Sequence, residues 1–166
     1  DRGFSANPYE LRDQREISMD YLPLEYPCYG NGDHRSPAFR MRTADGVFAA
    51  DLRYQSSRTV PGKYAIPGLP AVYAGDQEAY TVEVLLEDKA SGVEVTLLYG
   101  VLPKLDVITR CAVVKNNGTE PIFLNKAASM SLDFLDGDYE LLHFYGRQAM
   151  ERMAGGTRLY HGSRGF

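Results

Sequence analysis

Of the residue types that carry most site chemistry, the 166-residue chain has two cysteines and three histidines, and it lacks tryptophan altogether. Cys28 and Cys111 lie far apart in unlike surroundings, which excludes a disulfide framework and suits a reducing cytoplasm. His34, His143 and His161 are scattered, whereas a zinc site needs at least two ligands at fixed spacing, so neither a metal nor a cofactor is expected. Positive charge is in deficit: 18 Lys and Arg stand against 22 Asp and Glu, a formal net charge of -4. That excludes the electrostatic footprint of a nucleic-acid or anionic-membrane partner. No apolar run approaches the length of a membrane span. The opening DRGFSANPYE has neither the charged nor the apolar region of a signal peptide, and the missing initial Met indicates a cut or processed chain. No phosphate-cradling glycine loop, nucleophile elbow, H-x-x-x-H pair or C-x-x-C occurs, which argues against a self-contained enzyme and leaves no catalytic residue to name.

What is present is the balance of a globular domain, 44% hydrophobic and 24% charged. A single domain of this length buries about 70% of its unfolded surface. In the first third, Asn7, Pro8, Pro23, Pro27, Gly30, Asn31, Gly32 and Pro37 interrupt any period, leaving only Glu10 to Ile17 for a short helix. Beyond it, short segments rich in Val, Thr, Tyr, Phe, Leu and Ile alternate with turn signals and predict an all-β antiparallel sandwich with few or no helices. Ala38 to Thr43 and Val47 to Ser56 flank Ala44-Asp45-Gly46 as a hairpin. In Tyr80 to Glu87, Val82, Val84 and Leu86 face the core; in Val93 to Val101, Val93, Val95, Leu97 and Tyr99 do so. Asp106 to Lys115 is a third neighbour, closed by the hairpin signal Asn116-Asn117-Gly118. Pro121 to Phe134 and Tyr139 to Tyr145 flank Asp136-Gly137, and Thr157 to Gly162 supplies an edge strand. Thr59 to Gly75, with three prolines and repeated glycines, reads as a long surface loop serving a site or an interface.

The segment EYPCYGNGDHRSPAF, residues 25–39, concentrates Tyr26, Tyr29, Asp33, His34 and Arg35 in a Gly-Pro-rich loop. Tyrosine faces, a guanidinium fork and a carboxylate can grip a hydroxyl-rich sugar or a neighbouring subunit. An internal contact between Asp33 and Arg35 explains the same residues without any ligand. Twelve tyrosines without a tryptophan give little support to a free-standing carbohydrate-binding module. His143 and Cys111 lie within strand alternation and read as a structural imidazole and a small buried hydrophobe. Among the carboxylates available for a glycosidase pair, Asp45, Asp51, Asp136 and Asp138, the Asp-Gly turns account for Asp45 and Asp136.

The blocks RGFSANPYE, LEYPCYGNGDHRSPAF, ADGVFAADLRYQSSR, GKYAIPGLPAVY, LEDKASGVEVTLLYGV, DVITRCAVVKNNG and SMSLDFLDGDYELLHFYGR run through most of the chain. Together they resemble the N-terminal β-domain of α-galactosidases in family 36 of the glycoside hydrolases. The resemblance implies a large supersandwich similar to galactose mutarotase-like domains, ahead of a (β/α)8 barrel that holds both catalytic aspartates of a retaining mechanism. Residues 1–166 are then one β-sandwich domain, a fragment lacking that barrel and the first strands, and inactive alone. In tetrameric members, N-terminal loops approach the active site of a neighbouring subunit. By that likeness Asp33, His34 and Arg35 contact the α-galactoside in trans, and Tyr29 and Leu69 pack between subunits of a homo-oligomer. His34 stands where the family pattern has Phe or Tyr. A sugar-binding sandwich without a catalytic partner and a purely structural interaction domain are the rival readings.

Overall fold

The computed structural model describes residues 9–11, 14–16, 24–30, 35–70, 72, 74–132, 134 and 137–159. They are nearly all extended: β1 (Tyr9–Leu11), β2 (Gln14–Glu16), β3 (Phe39–Thr43), β4 (Arg53–Pro61), β5 (Tyr80–Asp88), β6 (Val93–Leu102), β7 (Val107–Asn116), β8 (Ile122–Ala127), β9 (Glu140–Arg147) and β10 (Met150–Arg158). One 3-10 turn, Pro103–Leu105, separates β6 from β7. Every ladder is antiparallel, in sheets ordered β4-β5-β6-β7, β3-β8, β1-β2 and β9-β10. The chain divides into two compact units, Asp1–Leu132 and Asp133–Phe166.

In the first unit, period-two alternation decides the core. The registers Val84↔Leu97↔Ala112 and Leu86↔Val95↔Val114 put the predicted apolar sets of β5 and β6 on one face, where Ala112 and Val114 of β7 join them. That face packs against Phe39 and Met41 of β3 and Ile122 of β8, with Tyr26, Cys28, Ala38 and Ala50 filling the layer between the sheets. Val93, Val95, Leu97, Phe39 and Met41 are fully buried. This is the two-layer sandwich that the strand pattern calls for.

Several local expectations are corrected. The described residues of the expected Glu10 to Ile17 helix are strand instead: β1 and β2 pair as a small ribbon, and the sequence there has no apolar stripe at helical spacing to bury. The Asp45-Gly46 turn forms, with Gly46 at φ +92 and its amide bonded to the Thr43 carbonyl, yet no hairpin follows. Ala50 enters the core and its amide bonds to Tyr29 O, which draws the chain away from β3. β3 pairs instead with β8, and β4 starts at Arg53 in the other sheet. Asn116–Gly118 likewise turns the chain without making a hairpin. The Asn116 side chain accepts from the Gly118 amide and donates to the Glu120 carbonyl, and β8 crosses to β3. Among the described residues Pro121 to Phe134 shortens to β8, and β9 pairs with β10 in a hairpin; Asp136 of the expected Asp136-Gly137 turn lies outside the described residues. The predicted last strand at Thr157 begins earlier, at Met150.

The long loop begins at Gly62, since Thr59–Pro61 completes the edge strand β4, where proline's missing donor is tolerated. Thr81 fastens the loop to β5, donating to Gly62 O and accepting from the Tyr64 amide, each at 2.8 Å. Tyr64 and Lys63 lie over Gly100, where an added methyl would sit within 3.2 Å of both side chains.

The second unit is the β9–β10 ribbon. Its register shifts between Met150 and Met153, where Ala149 and Arg152 take positive φ. Leu142, Phe144 and Tyr145 are exposed.

Candidate functional site

Residues 24–30 and 35–38, the described stretches on either side of residues 31–34, form two stems against the sandwich. The exit stem runs directly into β3 and is held by its ladder with β8. The entry stem, residues 24–29, meets β3 through one isolated bridge between Cys28 and Phe39. Backbone bonds tie the two together: the Ala38 and Phe39 amides donate to Pro27 O at 2.8 and 3.1 Å, and the Tyr29 amide donates to Phe39 O at 3.2 Å. Gly30 ends the stem at φ +93, and a Cβ there would lie 2.7 Å from Ala49 Cα, so only glycine fits.

Beneath the stem, Tyr26 is buried against Phe39 and donates its hydroxyl to Ala128 O at 2.9 Å. Burial, and secondarily the neighbouring Cys28, pushes its phenol up to about 12. Arg110 of β7 reaches the same stem. Its Nη2 donates to Glu25 O at 2.9 Å and pairs with the Glu25 carboxylate at 2.8 Å, while Nη1 donates to Ser131 O at 3.1 Å. Tyr99 lies under this guanidinium, 5.0 Å from ring centroid to Cζ, and donates its hydroxyl to Glu25 Oε1 at 2.5 Å. Burial and that hydrogen bond both raise the Tyr99 phenol.

Above the stem, Tyr29 is 43% exposed and is stacked by Arg40, whose Cζ stands 4.8 Å from the Tyr29 ring and 5.3 Å from that of Phe48. Arg42 sits over Phe123 at 4.2 Å. The outer surface of β3 therefore sets two guanidinium groups on aromatic rings.

Of the predicted site residues, Arg35 is half-buried at the head of the exit stem. Asp33 and His34 lie outside the described residues, as does the internal contact expected between Asp33 and Arg35. Tyr29 is placed on the entry stem, close to Arg35 in the chain. Leu69 is separate: it is 62% exposed in the 62–79 loop, in a turn closed by its amide on Ile66 O. Asp51 and Asp138, considered for a carboxylate pair, are engaged by Arg53 and Arg158, and Asp45 accepts from the Thr43 hydroxyl. Asp136 and His161 lie outside the described residues. Cys111 pairs with Leu98 on the sheet face away from the core and is half-buried, so its predicted burial is corrected. His143 is half-buried beside Tyr145 on the β9–β10 ribbon, not in an apolar core. Among the described residues no group of three metal-ligating side chains is assembled. A cleft of about 560 Å³ opens at the turn end of the sandwich, lined by Thr43, Asp45, Asp88, Ser91, Thr119 and Glu120. Its buried carboxylate, Asp88, is held by the Ala90 amide and the Ser91 hydroxyl of its own turn.

Glu25, Arg40, Phe48, Tyr99 and Arg110 do not emerge from motif reading. One signal for Arg110 exists: in β7 it shares the inward phase of Ala112 and Val114, where a charge is out of place.

The whole chain, residues 1–166, matches the family model described as the glycosyl hydrolase family 36 N-terminal domain. It is 49% identical over 166 residues, all of this chain, to the bifunctional α-galactosidase/sucrose kinase AgaSK of Mediterraneibacter gnavus, and covers 18% of that protein. It is 44% identical over 92% of its length to the α-galactosidase AgaA of Geobacillus stearothermophilus, covering 21% of it. Among solved structures, AgaB of the same organism superposes with a TM-score of 0.88 at 41% identity, over 98% of this chain and 23% of that one. An AgaA variant in complex with raffinose gives a TM-score of 0.87, also at 41% identity, over 98% of this chain and 23% of that one. The chain thus spans about a fifth of the length of the relatives it matches. By the match along its whole length, the chain belongs to the N-terminal domain family of the family 36 glycosyl hydrolases.

Proposed function

We propose that residues 1–166 form the N-terminal, non-catalytic β-sandwich domain of a larger α-galactosidase that hydrolyses terminal α-galactosides of the melibiose and raffinose type with retention. The observation that carries this reading is 49% identity along the entire chain to a protein with α-galactosidase activity in its name. The raffinose-bound relative, similar over 98% of this chain, supports the substrate class. The two carboxylates that retention requires belong to a barrel outside this chain. Here the domain's part is oligomerisation, as a tetramer, and substrate access. Its loop 30–37 presents Asp33, His34 and Arg35 to the α-galactoside held by a neighbouring subunit, with Tyr29 and Leu69 in the contact between subunits. The setting is cytoplasmic, where Cys28 and Cys111 remain thiols.

The test is hydrolysis of melibiose and raffinose by the full-length protein, with native mass measured alongside. Turnover is expected from the full-length protein and none from residues 1–166 alone. Arg35→Ala is expected to lower kcat/KM for raffinose roughly tenfold or to reduce the native mass. Unchanged kinetics and unchanged mass would remove Arg35 from the site.

A further inference from the structure

The β3–β8 ladder carries opposite charge at its two ends. Arg40 stands directly opposite Lys126 and Arg42 opposite Phe123, on the outer face of the pair, away from the buried Phe39 and Met41. Like charges directly opposite one another destabilise a sheet. Among the described residues neither guanidinium has a hydrogen bond or an ion pair: Arg40 rests on Tyr29 and Phe48, and Arg42 on Phe123. The Lys126 ammonium reaches only the Ser36 hydroxyl, at 3.3 Å. Arg53, Arg58, Arg110 and Arg158, by contrast, each hold a carboxylate of this chain. The other end of the ladder, closed by the pair Thr43↔Ile122, is acidic on both strands. Asp45 follows β3 by two residues and Glu120 precedes β8 by two, and both are exposed. Among the described residues neither carboxylate has a cation. Between the two ends Phe123 is 49% exposed.

The geometry points to the outer face of β3–β8 as a two-fold contact between copies of this chain, in which Arg40 and Lys126 of each copy meet the partner subunit's Asp45 and the partner subunit's Glu120. A two-fold contact uses the same patch on both copies, so the patch must complement itself. An axis lying in the interface and crossing the strands at Phe123 reverses the ladder end for end while keeping β3 over β3 and β8 over β8. The acidic end of each copy then lies on the basic end of the other, with Asp45 toward Arg40 and Glu120 toward Lys126. Phe123 falls midway between Glu120 and Lys126 in the chain, and it packs against its own counterpart on the axis. An apolar centre with a charged rim is the usual anatomy of such a contact. The carboxylates also relieve the repulsion between Arg40 and Lys126 that a single copy bears. This deepens the oligomerisation in the functional reading above and rests on it; Tyr29, placed there between subunits, is the ring against which Arg40 stacks.

The experiment uses the full-length protein and two charge-reversed forms, Arg40→Glu with Lys126→Glu and Asp45→Lys with Glu120→Lys. Native mass is measured by light scattering across a concentration series, and the melting temperature is followed alongside. Each reversed form sets like charges against each other in both halves of the contact, so its native mass is expected to fall to about half that of the wild type. An equimolar mixture of the two forms is expected to recover the wild-type mass, because each supplies at both ends what the other lacks. Salt at about 1 M, where the Debye length is ~3 Å, is expected to weaken the wild-type contact. Where reversal lowers the melting temperature, the neutral form Arg40→Gln with Lys126→Gln decides: it is expected to dissociate at concentrations about tenfold higher than the wild type. Wild-type mass in both reversed forms, a lost mass that mixing does not recover, or unchanged dissociation of the neutral form would overturn the inference alone. A wild-type protein that is itself a monomer would instead sink the oligomerisation in the functional reading, and this contact with it.

Discussion

At Gly30 the left-handed backbone and the wall formed by Ala49 act on the same atom, so the position tolerates no side chain. Gly30→Ala is expected to lower stability by at least ~2 kcal/mol, measurable as a shifted denaturant midpoint with an unchanged slope. Gly46, with positive φ but nothing within 4 Å of an added Cβ, is the control: Gly46→Ala pays only the conformational term. Tyr26 gives a pH test. Its phenol titrates near 10 when unfolded and at about 12 when folded, so the unfolded chain releases its proton first. The stability associated with the neutral buried phenol is intact below pH 10 and is lost as pH rises toward 12. Tyr26→Phe is expected to lower the melting temperature at neutral pH, through the lost bond to Ala128 O, and to flatten the alkaline decline. An alkaline limb as steep as the wild type's would show that other groups carry it. At this scale the Asp45-Gly46 turn was legible from residue type alone. The Glu25–Arg110 tie was not, because its partners are 85 residues apart and nothing local marks them as neighbours.

The strands of the four-stranded sheet differ in what holds them. β5 and β6 lie between partners on both sides, whereas β4 is an edge whose residues are almost all exposed. Alternation made β5, β6 and β7 readable because each buries one face, and register follows once a one-residue slip would expose that face. Pairing after the Gly46 and Gly118 turns was misread for a related reason. A turn signal says that the chain bends, but whether the next strand returns beside the last one depends on which sheet its apolar face completes. The β9–β10 ribbon is the extreme case: two strands with Leu142, Phe144 and Tyr145 exposed do not make a stable unit in water. In the isolated 166-residue chain, limited proteolysis is therefore expected to cut within 140–158 before any cut in 80–116. Cleavage in β5–β7 first would show that the ribbon is the more stable element.

For the chain as a whole, exposed apolar residues are numerous for its size. Phe134, Phe144, Leu142, Ile108 and Leu105 are each at least 65% exposed, and the edge strand β4 offers unpaired backbone groups. Such surfaces invite association. Light scattering across a concentration series of residues 1–166 is expected to show growing mass; a constant monomer mass would count against it. Composition and period two were sufficient for the all-β class, the identity of β5, β6 and β7 and the inward faces of β5 and β6, because burial of alternate residues is a local property of a strand. The block from Glu25 to Phe39 was also visible as an unusual cluster of tyrosines, charge and glycine. Which strands pair across the two layers, and which buried arginine holds the loop's stem, depended on contacts between segments far apart in the chain. Those contacts exist only once the two sheets have packed face to face, since packing is what brings β7 beneath residues 24–29 and gives Arg110 its partners.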